Sequence, residues 1–212
     1  MKTKIKHQVS VITTLFLMTS LPGSAIADTN IPLEPTVMVS EMTIVGIDDA
    51  IAARAGNRVK IGDGYKILIN GTTGVEIARV TWKGAKKQKG VSPMGLVTGN
   101  CGTSYLCLQN LGSGRYQFST GFDLSTGYAI DFDWYVSVTA QWTYPNTGSY
   151  NFQWSDHGPL WPTQHWTSGW RSDLTEAPSG TTHVGRVTSG RAYRTDGAIC
   201  YSGYPTASVQ VY

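Results

Sequence analysis

The stretch GYAIDFDWYVSVTAQWTY, residues 127–144, decides the fold. From Tyr128 to Tyr144 every even-numbered residue is apolar or aromatic, while the odd positions hold Ala, Asp, Asp, Tyr, Ser, Thr, Gln and Thr. A period of two marks a strand with one face buried and one face wet. At about 3.3 Å per residue such a run spans roughly 55 Å, well beyond an ordinary strand, so it must bend or cross between sheets. The even face (Tyr128, Ile130, Phe132, Trp134, Val136, Val138, Ala140, Trp142 and Tyr144) can plate a soluble core while the odd face meets water. The competing reading is a membrane wall. A single-chain barrel needs at least about eight comparable strands, and the sequence offers one. A toxin contributing one hairpin per subunit, with Asp131 and Asp133 lining the pore, stays as an alternative.

Outward from this stretch the chain reads as β. Residues 105–109 alternate weakly, 116–122 alternate cleanly, and 150–155 alternate again after the turn Pro145-Asn146-Thr147-Gly148-Ser149. Short strands are expected at 183–188, 191–195, 197–201 and 207–211, punctuated by Gly-rich turns. Many short strands with Gly-rich turns predict an antiparallel β-sandwich or small barrel over residues 91–212.

Composition changes at Lys89. Lys83, Lys86, Lys87 and Lys89 crowd the segment 83–90, and no Lys follows it. Six of the seven Trp and ten of the eleven Tyr lie beyond that segment, so a separate small α+β region is expected over 28–90. In it, Asp48 is placed to cap a helix from Asp49 to Ala55 that Gly56 ends. Tyr65 to Ile69 runs into Asn70-Gly71, a two-residue hairpin signal, with a return strand at 75–82. This region is either a pro-region cut within the lysine-rich segment or a permanent small domain with a solvated linker.

The first 27 residues read as a secretory signal peptide. Lys2, Lys4, Lys6 and His7 form a basic start, residues 9–21 are apolar, and Ser24-Ala25-Ile26-Ala27 supplies a small-x-small cleavage pattern. Three of the 17 Lys and Arg lie in this leader, leaving 14 against 14 Asp and Glu. That balance gives no electrostatic footprint for nucleic acid. No second apolar run of spanning length follows, so no stable membrane span and an extracellular location are expected. In an oxidising compartment two of Cys101, Cys107 and Cys200 should pair. The turn settings of Cys101 and Cys200 favour that pair, with Cys101–Cys107 as the rival and Cys107 otherwise a small buried hydrophobe.

Residues 154–170, WSDHGPLWPTQHWTSGW, carry Trp154, Trp161, Trp166, Trp170, His157 and His165 around Pro159 and Pro162. Two prolines and no period predict a loop or irregular edge. Trp154 continues the apolar face of Tyr150 and Phe152 and reads as core. Trp161, Trp166 and Trp170, with His165 and Asp156, form the candidate ligand-binding set, because indole faces stack on sugar rings and flanking polar groups take the hydroxyls. The alternative is that these indoles turn inward and cap the core.

Catalytic signals are weaker. Asp131 and Asp133 lie two apart on one strand face, a spacing of about 7 Å that a glycosidase could use. Asp173 and Glu176 fall in a loop. No Gly-x-Ser-x-Gly accompanies His157, His165 or His183, no Cys or His spacing matches a zinc site, and phosphate-loop and dinucleotide signatures are absent. No cofactor and no metal are expected. The sequence thus predicts a secreted, mainly β protein that binds a polysaccharide or cell-surface glycan through aromatics, without catalysis. A secreted effector acting on membranes or a protein target (toxin or enzyme inhibitor) and a glycoside hydrolase are the alternatives. Intact-mass analysis of the exported protein should give a chain starting at Asp28 that gains the hydrogens of one disulfide on reduction. A mass starting within 84–91 would instead identify a pro-region.

Overall fold

A computed structural model describes residues 34–82, 96–98, 100–172 and 177–212. The leader, the lysine-rich segment and the Asp173/Glu176 pair lie outside the described residues. Strand β1 (Thr36–Ile47) is followed by helix α1 (Asp49–Arg54), β2 (Arg58–Gly62), β3 (Tyr65–Ile69), β4 (Glu76–Thr81) and β5 (Leu96–Thr98). Then come β6 (Asn100–Gly112), β7 (Arg115–Leu124), β8 (Ala129–Trp142), β9 (Gly148–Thr163), β10 (His165–Thr167), β11 (Arg171–Ser172), β12 (Thr182–Arg194), β13 (Ala198–Ser202) and β14 (Thr206–Gln210).

Two antiparallel sheets result. The larger has ten strands in the order β10-β7-β6-β1-β13-β12-β8-β9, with β11 also on β7 and β14 also on β12. The smaller runs β2-β3-β4-β5. β1 therefore lies between β6 and β13, so the large sheet draws strands from both sides of the lysine-rich segment. The large sheet curls into a nearly closed barrel-like body. Its near-terminal strands meet face to face: Phe118 on β7 packs 5.7 Å from Trp154 and 6.2 Å from Phe152 on β9, and Tyr116 lies 6.1 Å from Tyr150.

β8 is the strand the opening stretch predicts, slightly shortened. It keeps 14 residues, and Phe132, Trp134, Val136, Val138 and Ala140 are all buried. Tyr128 and Tyr144 fall outside it and stand 50% and 84% exposed, because the chain turns before and after the strand. Trp134 is fully buried, and its Nε1–H donates to Thr120 Oγ1 across the interior at 2.9 Å. Thr120 in turn donates to the Tyr105 carbonyl at 2.7 Å. Gly190 stands opposite Trp134 on β12, and a Cβ there would come within 2.8 Å of the indole. Only glycine leaves room for that ring.

Cys101 and Cys200 are disulfide-bonded, with Cα atoms 5.9 Å apart and a sequence separation of 99. Closing so long a loop stabilises by about 4–5 kcal/mol in the chain-entropy account. Cys107 is a buried free thiol, and burial raises its pKa, which suppresses the reactive thiolate.

Local chemistry explains the rest. Asp48 caps α1, its carboxylate accepting from the Ile51 N–H at 2.9 Å, and Gly56 at φ 74° follows the helix. The hairpin after β3 is present, but its loop is longer than Asn70-Gly71 implies. Asn70 Oδ1 accepts from the N–H groups of Thr72 (3.0 Å) and Thr73 (2.8 Å), and its own N–H donates to Val75 O at 2.8 Å. The Asn side chain thus caps a wider turn instead of occupying a tight one.

Two outcomes follow. Thr120→Val keeps the side-chain shape but leaves the Trp134 N–H buried without an acceptor, and should cost about 1–3 kcal/mol in denaturant unfolding. His183 is 1% exposed, with its ring 4.6 Å from Tyr116 and 5.7 Å from Tyr150. Its Nδ1 has no hydrogen-bond partner among the described residues, and burial pushes its pKa below the ordinary value of about 6.5. The neutral ring is favoured in the fold, so this stability is present above about pH 6.5 and is lost as the unfolded chain takes up the proton below it. Denaturation midpoints should fall between about pH 7.5 and 5 for the wild type, and fall less for His183→Phe.

Candidate functional site

The register of β9, β8, β12 and β13 builds one continuous outer face. Residues directly opposite across antiparallel strands share a face. His157, Asp133, Arg191 and Tyr201 are successive partners across the four strands, and Pro159, Asp131, Tyr193 and Ile199 form the adjacent row. With strands about 4.8 Å apart, each row spans about 14 Å. The rows are tied together: Tyr193 OH donates to Asp133 Oδ2 at 2.8 Å, and the Arg191 guanidinium lies 4.8 Å over the Tyr201 ring. Burial and the bond to Asp133 raise the Tyr193 pKa, so its phenol stays protonated and donating. Asp131 Oδ1 instead accepts from the Phe132 N–H at 2.8 Å.

The tryptophan-rich segment is more regular than two prolines suggest. β9 continues to Thr163 and is hydrogen-bonded to β8 alone, so Pro159 sits on an edge strand, where a missing N–H is tolerated. Between Pro159, opposite Asp131, and Thr163, opposite Ala129, the pairing is irregular. Extra residues on one strand of a pair re-aim its side chains. Trp161 lies in this irregularity and is 92% exposed.

The other predicted ligand residues are dispersed. Trp166 on β10 turns inward, 4.3 Å from Phe132, 5.6 Å from Trp134 and 5.8 Å from Phe122. It packs against the core, as the capping alternative expects. Trp170 is half exposed just before β11. His165 Nδ1 is 2.6 Å from Asp123 Oδ1 on β7, and both side chains are exposed. Asp156 is the partner of Trp134 in the β8–β9 ladder, and its Oδ1 accepts from the His157 N–H at 2.9 Å. By strand alternation it lies on the face opposite His157. Trp154 packs as core, with Arg171 5.7 Å over its ring. Among the described residues no group of three or more His, Cys, Asp or Glu is arranged to hold a metal ion.

A site the sequence did not single out lies where the outer face meets the small sheet. A groove of about 750 Å³ is lined by Trp82, Tyr193, Tyr201, Tyr204, Lys66 and Arg191, among others. Tyr204 is held there at φ 62°, a left-handed backbone uncommon for a residue with a side chain. The signal for Arg191 and Tyr193 was obscured by a bulge in β12. Val187 faces Val136, but Ser189 faces Tyr135, so the skipped Thr188 inverts the alternation and turns odd positions outward.

No helix among the described residues is long and apolar enough to cross a membrane. Comparison of the chain with protein-family models, with curated proteins and with solved structures finds no match in any of the three.

Proposed function

We propose that this protein is secreted and binds a carbohydrate or cell-surface polymer through aromatic side chains displayed on its outer sheet face, without catalysis. The observation that carries this reading is Trp161. An indole 92% exposed within β9 adds almost nothing to the core and presents its ring to solvent. A pyranose ring laid on it removes apolar area from water on both partners at little conformational cost. Tyr135, 45% exposed, and the polar side chains of Asp131, Asp133 and His157 share the β8–β9 outer face and suit sugar hydroxyls. Half-exposed Trp170 offers a further ring. A disulfide fits an oxidising, extracellular setting. The hydrolase alternative has less support, since the Asp133 carboxylate is engaged by Tyr193 and Asp131 by the neighbouring backbone.

Co-sedimentation with a panel of insoluble polysaccharides should deplete the protein from solution. Trp161→Ala should weaken that binding about tenfold while leaving the melting temperature unchanged, because the ring packs on so little. Absence of depletion across the panel would remove the reading.

A further inference from the structure

The groove between the two sheets adds something the open outer face lacks. Resting on the glycan reading above, the inference concerns which sugar chemistry the groove selects. Among the described residues two charged side chains line the groove, Lys66 and Arg191, both cations, and no carboxylate among those residues lines it. Lys66 is already engaged, with Nζ 2.8 Å from Asp49 Oδ1 and 2.9 Å from the Ile47 carbonyl.

Arg191 is not matched in this way. None of the ion pairs among the described residues includes it. Its Nε is buried and has no acceptor among those residues. The nearest acid across the ladder, Asp133, takes its bond from Tyr193 OH instead. A hydrogen bond to the Tyr193 hydroxyl, opposed by burial and aided by the electrostatic pull of Tyr201, Tyr193 and Asp133, keeps the guanidinium charged. Tyr201 holds it from the other side, 4.8 Å away.

The one donor left unspent, the buried Nε–H, is unfavourable until an acceptor reaches the guanidinium. Its planar fork matches a carboxylate or a sulfate ester in a way that an ammonium does not. Trp82, Tyr193, Tyr201 and Tyr204 give the groove aromatic walls, which suit a ring carrying that anion better than a free ion. A volume of about 750 Å³ falls within the usual range for small-ligand sites and admits one or a few sugar rings. We infer that the groove binds an acidic sugar of the glycan, with the sugar's oxyanion, a uronate carboxylate or a sulfate ester, held by Arg191 between Tyr193 and Tyr201.

The test is calorimetric titration at about 0.15 M salt, where distant surface charges are screened. Three probes of similar length are compared: oligogalacturonate, its fully methyl-esterified form, and dextran sulfate. At least one acidic probe should bind about tenfold tighter than the neutral ester, and the tighter of the two identifies carboxylate or sulfate as the recognised group. Arg191→Gln should erase that preference at unchanged melting temperature. Arg191→Lys, which keeps the charge but not the fork, should recover only part of it and decides the matter alone if the Gln variant does not fold. Trp161→Ala should weaken all binding probes alike. Equal binding of acid and ester, or a preference that survives both Arg191 substitutions, overturns the acidic-sugar inference while Trp161-dependent binding leaves the glycan reading standing. Binding of none of the probes, joined to no depletion by polysaccharides, removes both.

Discussion

Everything in this fold depends on the large sheet closing over one aromatic layer. Trp134 reaches from β8 toward β7, and Thr120 receives its N–H. Phe122 and Trp166 pack on the indole at 5.7 and 5.6 Å, and Phe132 packs on Trp166 at 4.3 Å. A flat sheet could not bring β7 and β9 face to face. Right-handed twist and bulges supply the curl, and the indole with its hydrogen bond sets where the two layers meet. A buried serine pair plays the same part for polar groups. Ser104 and Ser202, both buried, bond to each other at 2.8 Å, and Ser40 joins Ser104 at 3.0 Å, so hydroxyls on β1, β6 and β13 satisfy one another inside the body.

What could be read from sequence follows from how local each signal is. The even face of β8, the Asp48 cap and the Cys101–Cys200 pair rest on alternation, on a side chain three residues from its partner, and on compartment chemistry. The body formed by the later strands was legible as a sandwich or barrel for the same reason. The place of β1 was not, since its partners β6 and β13 lie far along the chain and no period in residues 36–47 names them. Trp166 was ambiguous because a single indole in a Pro-broken stretch has no periodic neighbours to assign its face. Pairing with Phe122 on β7 assigns it. Arg191 and Tyr193 were hidden by the inversion at Thr188, an effect of sheet curvature that local pattern cannot report.

The two faces of β12 show how core and groove are coupled. Gly190 and Ala192 are buried on the inner side, Gly190 yielding space to Trp134, while Arg191 and Tyr193 project outward from the intervening positions. β13 repeats the arrangement: Cys200 is buried in the disulfide and Tyr201 stands next to it on the groove side. The side chains that hold Arg191 therefore sit on backbone whose other face is packed against buried Trp134 and tied by the one disulfide among the described residues. Rigid placement of this kind lowers the ordering cost of recognition. It also makes the groove's cationic character a property of the fold's alternation, since Arg191 cannot turn from the groove unless β12 slips by one residue, and such a slip would drive Trp134 into a side chain where Gly190 now leaves room.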